Sequence, residues 1–162
     1  MISPEVNLVS LYSLMQDLHL YDTRIGLILV YTVFRFPFTV VLMRSYMLSL
    51  PRSVEEAALL DGCNVLQVFL KIALPMSKPV LASGALFSAM YAWNEYMFAT
   101  IFIESSELRT IPIGLQSLKT AMRTDYPILI AGLVISASVT ILAFLFSQKY
   151  FIRGLSQGSV KE

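Results

Sequence analysis

Three stretches of this chain run almost without charge for the length of a bilayer crossing: residues 25–43, 79–103 and 127–147. A helix rises about 1.5 Å per residue, so some twenty apolar residues cross a hydrocarbon core of about 30 Å. The first stretch is interrupted only by Thr32, Arg35, Pro37 and Thr39. Pro37 is expected to kink it, because its ring crowds the carbonyl four residues back and removes one hydrogen bond. The second stretch, at about 37 Å as a helix, crosses with tilt or leaves the bilayer in its last turn. Pro127 opens the third at the position where a missing N–H costs least. The fold class that follows is an all-α membrane protein with three transmembrane helices. Composition agrees: 56% of the 162 residues are hydrophobic and 14% are charged, against roughly 25% charged in soluble domains.

The segments between the spans are polar. Residues 1–24 contain an amphipathic helix over residues 6–20, with Leu8, Leu11, Tyr12, Met15 and Leu18 on one face. Asp22-Thr23-Arg24 ends it. Residues 44–78 form a loop, residues 104–126 a second one, and residues 148–162 a short polar tail. Lysine and arginine in short loops mark the cytoplasmic side. The 44–78 loop and the tail together hold Arg44, Arg52, Lys71, Lys78, Lys149, Arg153 and Lys161, against Arg24, Arg109, Lys119 and Arg123 opposite. That puts the loop and the tail in the cytoplasm and residues 1–24 outside it.

Several functions are excluded on chemistry. A net charge of +1 provides no basic face for nucleic acid. A single cysteine, Cys63, allows no internal disulfide, and a single histidine, His19, leaves no histidine-based metal site or triad. Met1-Ile2-Ser3-Pro4-Glu5 lacks the basic and apolar regions of a secretory signal. No paired carboxylates, nucleophile–base set or P-loop appears, so the expectation is a protein that is not an enzyme and binds no cofactor of its own.

The 44–78 loop carries the most specific pattern. Pro51-Arg52-Ser53 breaks the chain, and Ser53 to Glu56 has capping-box spacing. Asp61-Gly62 supplies a stop, a second short helix runs from Val65 to Ala73, and Pro75 and Pro79 end it. The expected product is two short helices at a glycine corner, a knob suited to a groove on another protein. The spacing Glu56-Ala57-Ala58, three residues, Gly62, nine residues, Ile72, one residue, Leu74-Pro75 resembles the EAA loop of permease subunits of binding-protein-dependent ABC importers. Trp93-Asn94-Glu95, Thr110-Ile111-Pro112-Ile113-Gly114-Leu115 and the ending Gln148–Leu155 look like the carbohydrate branch, the maltose-type permeases. Cys63 stands where alanine is more usual.

The resemblance implies a multi-pass subunit of a bacterial or archaeal inner membrane. It implies as partners a pair of ATPase subunits that bind the ATP, a second permease subunit and an extracytoplasmic solute-binding protein. It assigns ATPase coupling to Glu56, Ala57, Ala58, Asp61, Gly62, Ile72, Leu74 and Pro75. It also implies about six spans where this chain offers three, so the chain is expected to be the C-terminal part of a longer subunit. The alternatives are the same scaffold importing another solute, such as a polyamine, or a structural membrane protein with no transport role.

Two polar groups inside the spans have two readings each. Arg35 either lines the translocation path or is a snorkelling, inter-helix arginine. Trp93, Asn94 and Glu95, with Tyr91 and Tyr96, form the aromatic, amide and carboxylate mixture used to bind sugars, or else serve helix packing or gating. The tail with Gly154, Leu155 and Gly158 is a frayed end by composition alone; by resemblance it reaches the ATPase interface.

Overall fold

The computed structural model describes residues 7–119 and 125–156. Among these it is all helix and turn. The helices are α1 (Leu8–Asp17), α2 (Arg24–Met47), α3 (Arg52–Leu60), α4 (Val65–Met76), α5 (Lys78–Asn94), α6 (Met97–Phe102), α7 (Ile111–Ser117) and α8 (Tyr126–Ser156). Two are long and apolar enough to cross a membrane, α2 and the Tyr126–Phe146 part of α8, and α4 with α5 makes a third if the bent pair counts as one span. Their apolar side chains stand largely outward. Ile28, Val33 and Val41 on α2 and Ile130, Val134 and Phe146 on α8 are all exposed. In water such surface would cost about 25 cal/mol per Å²; in lipid it costs nothing.

Residues divide into two compact units. The first takes in the described residues up to Phe36 together with Ala89–Leu142. Its core has Met15, Val30, Phe98 and Phe102 buried together, with Leu8, Leu11, Tyr12 and Phe34 packed against them. Phe34 stacks on Phe98 with ring centroids 4.6 Å apart. The amphipathic face expected on α1 is therefore the packed one, except that Leu18 remains 56% exposed.

The α1–α2 corner is held by polar contacts. Thr23 Oγ1 accepts from the Gly26 N–H at 3.0 Å and donates to the Leu20 carbonyl at 2.7 Å, which caps α2. Gly26 sits so close beneath this corner that a β-carbon would strike the Leu20 carbonyl oxygen and the Met15 methyl group. Backbone cannot step aside as a side chain can. Gly26→Ala is expected to cost about 1–3 kcal/mol as an overpacked site, read as a lowered melting temperature of the solubilised protein. An unchanged melting temperature would mean that the corner is looser than described.

Asp22 takes positive φ (52°) at the same corner. Its carboxylate accepts the backbone N–H groups of Glu104 (2.9 Å) and Ser105 (3.0 Å) and the Ser105 hydroxyl. Those bonds, the hydroxyl first, hold the carboxyl below its usual range. A depressed carboxyl stabilises the fold above the unfolded value, about 3.9, and the contribution is lost as pH falls through the lower folded value. Asp22→Asn is thus expected to lower thermal stability at neutral pH, with the gap to the parent closing below about pH 4. A gap independent of pH would separate the destabilisation from the carboxylate.

The second unit comprises Pro37–Ser88 and the end of α8 from Ala143. Phe38 meets Phe87 edge to face at 5.9 Å, and the Tyr46 hydroxyl donates to the Met76 carbonyl at 3.1 Å. Gly84 faces Thr39 and Leu42 at ordinary contact distance. A small residue at this point of α5 lets it lie against α2.

Two expectations are corrected. The helix expected over residues 79–103 is broken: α5 stops at Asn94 and α6 begins at Met97. The tail expected from residue 148 is helical through Ser156, because α8 continues without a stop. α2 itself runs from Arg24 to Met47 with Pro37 inside it.

Candidate functional site

The knob of residues 51–76 is built locally. α3 starts at Arg52, with Pro51 in extended conformation before it (φ −63°, ψ 121°) and no side-chain cap. The Ser53–Glu56 capping box is therefore not formed: the helix begins one residue earlier and takes Ser53 inside. Gly62 has φ +83°; it and the Cys63 N–H, which bonds the Ala58 carbonyl at 3.0 Å, close the corner after Leu60. A β-carbon at Gly62 would meet nothing within 4 Å. Glycine is required there by backbone conformation, not by space.

A capping box does form one step later. Asn64 Oδ1 accepts the Gln67 N–H and Gln67 Oε1 accepts the Asn64 N–H, both at 2.9 Å. Asn-x-x-Gln has capping spacing, so this was readable from the sequence. Residues Phe69–Ala73 of α4 widen into a π turn, the Leu74 N–H reaching the Phe69 carbonyl. The turn lies directly before Pro75, whose ring would otherwise press on the Lys71 carbonyl. Ser77, fully buried, donates its hydroxyl to the Ala73 carbonyl at 2.7 Å. There α4 and α5 bend by 65°.

What the knob leaves outside matters. Ala58 and Val68 are buried, whereas Leu60 (89%), Val65 (78%) and Leu66 (65%) flank the Gly62 corner fully open. Glu55, Glu56 and Asp61 are exposed beside them, as is Pro75; Ile72 and Leu74 are half-buried.

The break between α5 and α6 gathers the polar residues of the first unit. Glu95, 8% exposed, turns its carboxylate onto the start of α6. Oε1 accepts the Phe98 N–H at 2.8 Å, and Oε2 accepts the Ala99 N–H at 3.0 Å and the Tyr31 hydroxyl at 2.8 Å. A helix start leaves N–H groups without partners, and negative charge is favoured there. Glu95 supplies both needs at once. The Tyr31 ring stands edge to face with Tyr91 at 6.1 Å, and the Arg35 guanidinium lies over Tyr91 at 4.8 Å. The Trp93 indole N–H donates to the Ser136 carbonyl at 3.3 Å, which ties α5 to α8.

Asn94 faces a cavity. It is exposed, its amide donates to the Met90 carbonyl at 2.7 Å, and it lines a space of about 330 Å³. Tyr96, Gln116, Lys119 and Ser136 add polar lining; Pro112, Leu115, Leu129 and Leu133 add an apolar wall. No local pattern singles out Tyr31, Gln116, Lys119 or Ser136, because each is brought in from a distant segment. Gly154 and Leu155 fall within α8, and Gly158 lies outside the described residues. Among the described residues no group of three His, Cys, Asp or Glu side chains is placed to hold a metal.

These features define an all-helical membrane protein with an exposed helical knob and a polar break in one of its apolar helices. The chain belongs to the family described as the binding-protein-dependent transport system inner membrane component, whose pattern matches residues 6–157. It is 52% identical over 161 residues to the probable ABC transporter permease protein YurM of Bacillus subtilis, covering 99% of this chain and 54% of that protein. It is 38% identical to the arabinooligosaccharides transport system permease protein AraQ of the same organism, covering 99% and 57%. A solved bacterial ABC transporter involved in import of the acidic polysaccharide alginate superposes with a TM-score of 0.58 at 26% identity, covering 94% of this chain and 56% of the other. The chain spans about half the length of the relatives it matches.

Proposed function

We propose that this chain is a transmembrane permease component of an ATP-driven sugar importer, forming part of the translocation path and coupled to an ATPase subunit through residues 56–75. The observation that carries the coupling is the knob itself: two helices about a positive-φ glycine, with Leu60, Val65 and Leu66 open at the tip. Apolar side chains held out at a corner beside carboxylates fit the groove of another protein, not lipid. The sugar assignment rests on family membership and on the solutes named for AraQ and the alginate importer. The ATP is bound by the partner ATPase pair; a second permease subunit and a solute-binding protein complete the assembly. Asn94 lies on the path, and Trp93, Glu95 and Arg35 frame it. Gly154, Leu155 and Gly158 belong to a tail that meets the ATPase pair.

In this arrangement α2, α5 with α6, and α8 cross the membrane, and the knob and tail are cytoplasmic while α1 and α7 lie outside. Single cysteines at Ser53 and Ser117, both exposed, test it in a Cys63→Ala background. A membrane-impermeant thiol reagent is expected to label Ser117→Cys in intact cells and Ser53→Cys only after permeabilisation. Labelling of both from one side would refute the topology. Deleting residues 155–162 is expected to spare insertion and weaken solute-stimulated ATP hydrolysis; full stimulation would make the tail a passive end.

A further inference from the structure

The charges of the 44–78 loop are sorted along its length. Arg44 near the end of α2, Arg52 at the start of α3, Lys71 on α4 and Lys78 at the start of α5 are all exposed. Residues 44–52 and 65–78 contain no aspartate or glutamate. The carboxylates of the loop, Glu55, Glu56 and Asp61, belong to α3 and its end. The Tyr46 hydroxyl, bonded to the Met76 carbonyl at 3.1 Å, joins the two basic segments.

α4 has a direction to match. α5 crosses the membrane in the topology proposed above, so the 65° bend between them turns α4 toward the membrane plane. The bend is pinned: the hydroxyl and the N–H of fully buried Ser77 both bond the Ala73 carbonyl, at 2.7 and 3.0 Å. On the half of α4 nearest the bend, Phe69, Leu70 and Met76 stand open. Val65 and Leu66 lie at its other end, about 15 Å away along the helix. Open apolar side chains flanked by lysines, on a helix turned toward the membrane plane, suit the headgroup region, where lysine stems reach up to the phosphates.

We infer that residues 44–52 and 69–78 form a docking surface for anionic phospholipid of the cytoplasmic leaflet. Phe69, Leu70 and Met76 seat it among the acyl chains, and Arg44, Arg52, Lys71 and Lys78 select the headgroup. The inference rests on the topology proposed for the loop, not on its coupling to an ATPase. Charge decides the occupant. Four cations with no carboxylate in their segments gain little from a zwitterionic headgroup, and an apolar helix of another subunit would leave them unanswered. Basic clusters of this size beside a membrane crossing attract anionic lipid, each cation contributing roughly fivefold in affinity.

The test uses the assembled transporter in phosphatidylcholine vesicles, with a fluorophore on Leu70→Cys or Met76→Cys in a Cys63→Ala background. A small fraction of the lipid carries a nitroxide just below its headgroup, on either phosphatidylglycerol or phosphatidylcholine. Both fluorophores should be quenched, roughly fivefold more effectively by the labelled phosphatidylglycerol. The preference should shrink as salt is raised from about 0.1 M to about 1 M. With Arg44→Gln, Lys71→Gln and Lys78→Gln together, quenching should persist and the preference fall to about one. Equal quenching by both lipids in the parent overturns the selection of anionic lipid. Absence of quenching at both positions overturns the docking surface, since protein then covers this face. A preference abolished by inorganic phosphate, but not by chloride of the same ionic strength, would make free phosphate the ligand and overturn the lipid assignment. Labelling at Ser53 and Ser117 decides the topology separately: a knob found outside removes both readings, whereas equal quenching with the knob inside removes this one alone.

Discussion

Glu95→Ala is expected to be the most damaging single substitution in the first unit. It removes the acceptor for the Phe98 and Ala99 amides and for the Tyr31 hydroxyl together. An orphaned buried donor costs about 1–3 kcal/mol, and the Glu95 side chain is almost entirely enclosed. The expected loss is about 3 kcal/mol or more, enough to unfold the α5–α6 break and to lower the melting temperature of the purified transporter sharply. Glu95→Gln keeps one acceptor oxygen but turns an amide donor toward another donor, so it should fall between the two. Tyr31→Phe deletes a single bond and should cost about 1 kcal/mol in the parent. In the Glu95→Ala background it should cost almost nothing, since coupled residues are not additive. Full additivity of the pair would show that the two groups act independently.

The second large effect belongs to the knob. Leu60→Asp places a charge on a side chain that is 89% exposed and buries nothing within this chain. The subunit should therefore fold and insert as before. On the proposed coupling, an ATPase subunit bound to this corner should nonetheless be lost on purification, because a carboxylate would have to be desolvated in the groove. Gly62→Leu acts through backbone: a leucine at φ +83° is strained by about 1–2 kcal/mol, although space is open around it. The corner relaxes, and the placing of Leu60 and Val65 about it changes. Both variants are expected to reach the membrane in normal amount with partner retention reduced at least tenfold, a shift of about 1.4 kcal/mol. Normal retention with both would remove the docking role from the corner.

How far the sequence reaches depends on whether a feature is local. The apolar runs, the Gly62 turn and the two short helices about it are dictated by residues within a few positions of one another, and each was legible. Capping is also local but was misplaced: Ser53 and Glu56 had the right spacing, yet Pro51 lets the helix start before Ser53, and Asn64 with Gln67 carries the box instead. The break after Asn94 was hidden by hydrophobicity. Residues 97–103 continue the apolar run, and nothing in their composition says that Glu95 bends its carboxylate back onto the next turn. Tyr31 lies 64 residues away from Glu95 in sequence, so no window of pattern reading could join them. The same is true of the cavity, whose polar lining comes from three separate segments. The short polar tail expected from residue 148 continues α8 as far as Ser156 because nothing in it supplies a stop, and such a continuation has no local signal.

ATP-driven uptake by the reconstituted transporter tests the central claim most directly. Proteoliposomes carrying the subunit with the second permease and ATPase subunits proposed for it, with ATP enclosed and solute-binding protein outside, are supplied externally with a labelled arabinooligosaccharide. The parent should accumulate the sugar against its gradient, and Leu60→Asp should abolish accumulation while the subunit remains in the membrane at its normal level. Undiminished, ATP-dependent accumulation with Leu60→Asp and Gly62→Leu together in place would contradict coupling through this loop.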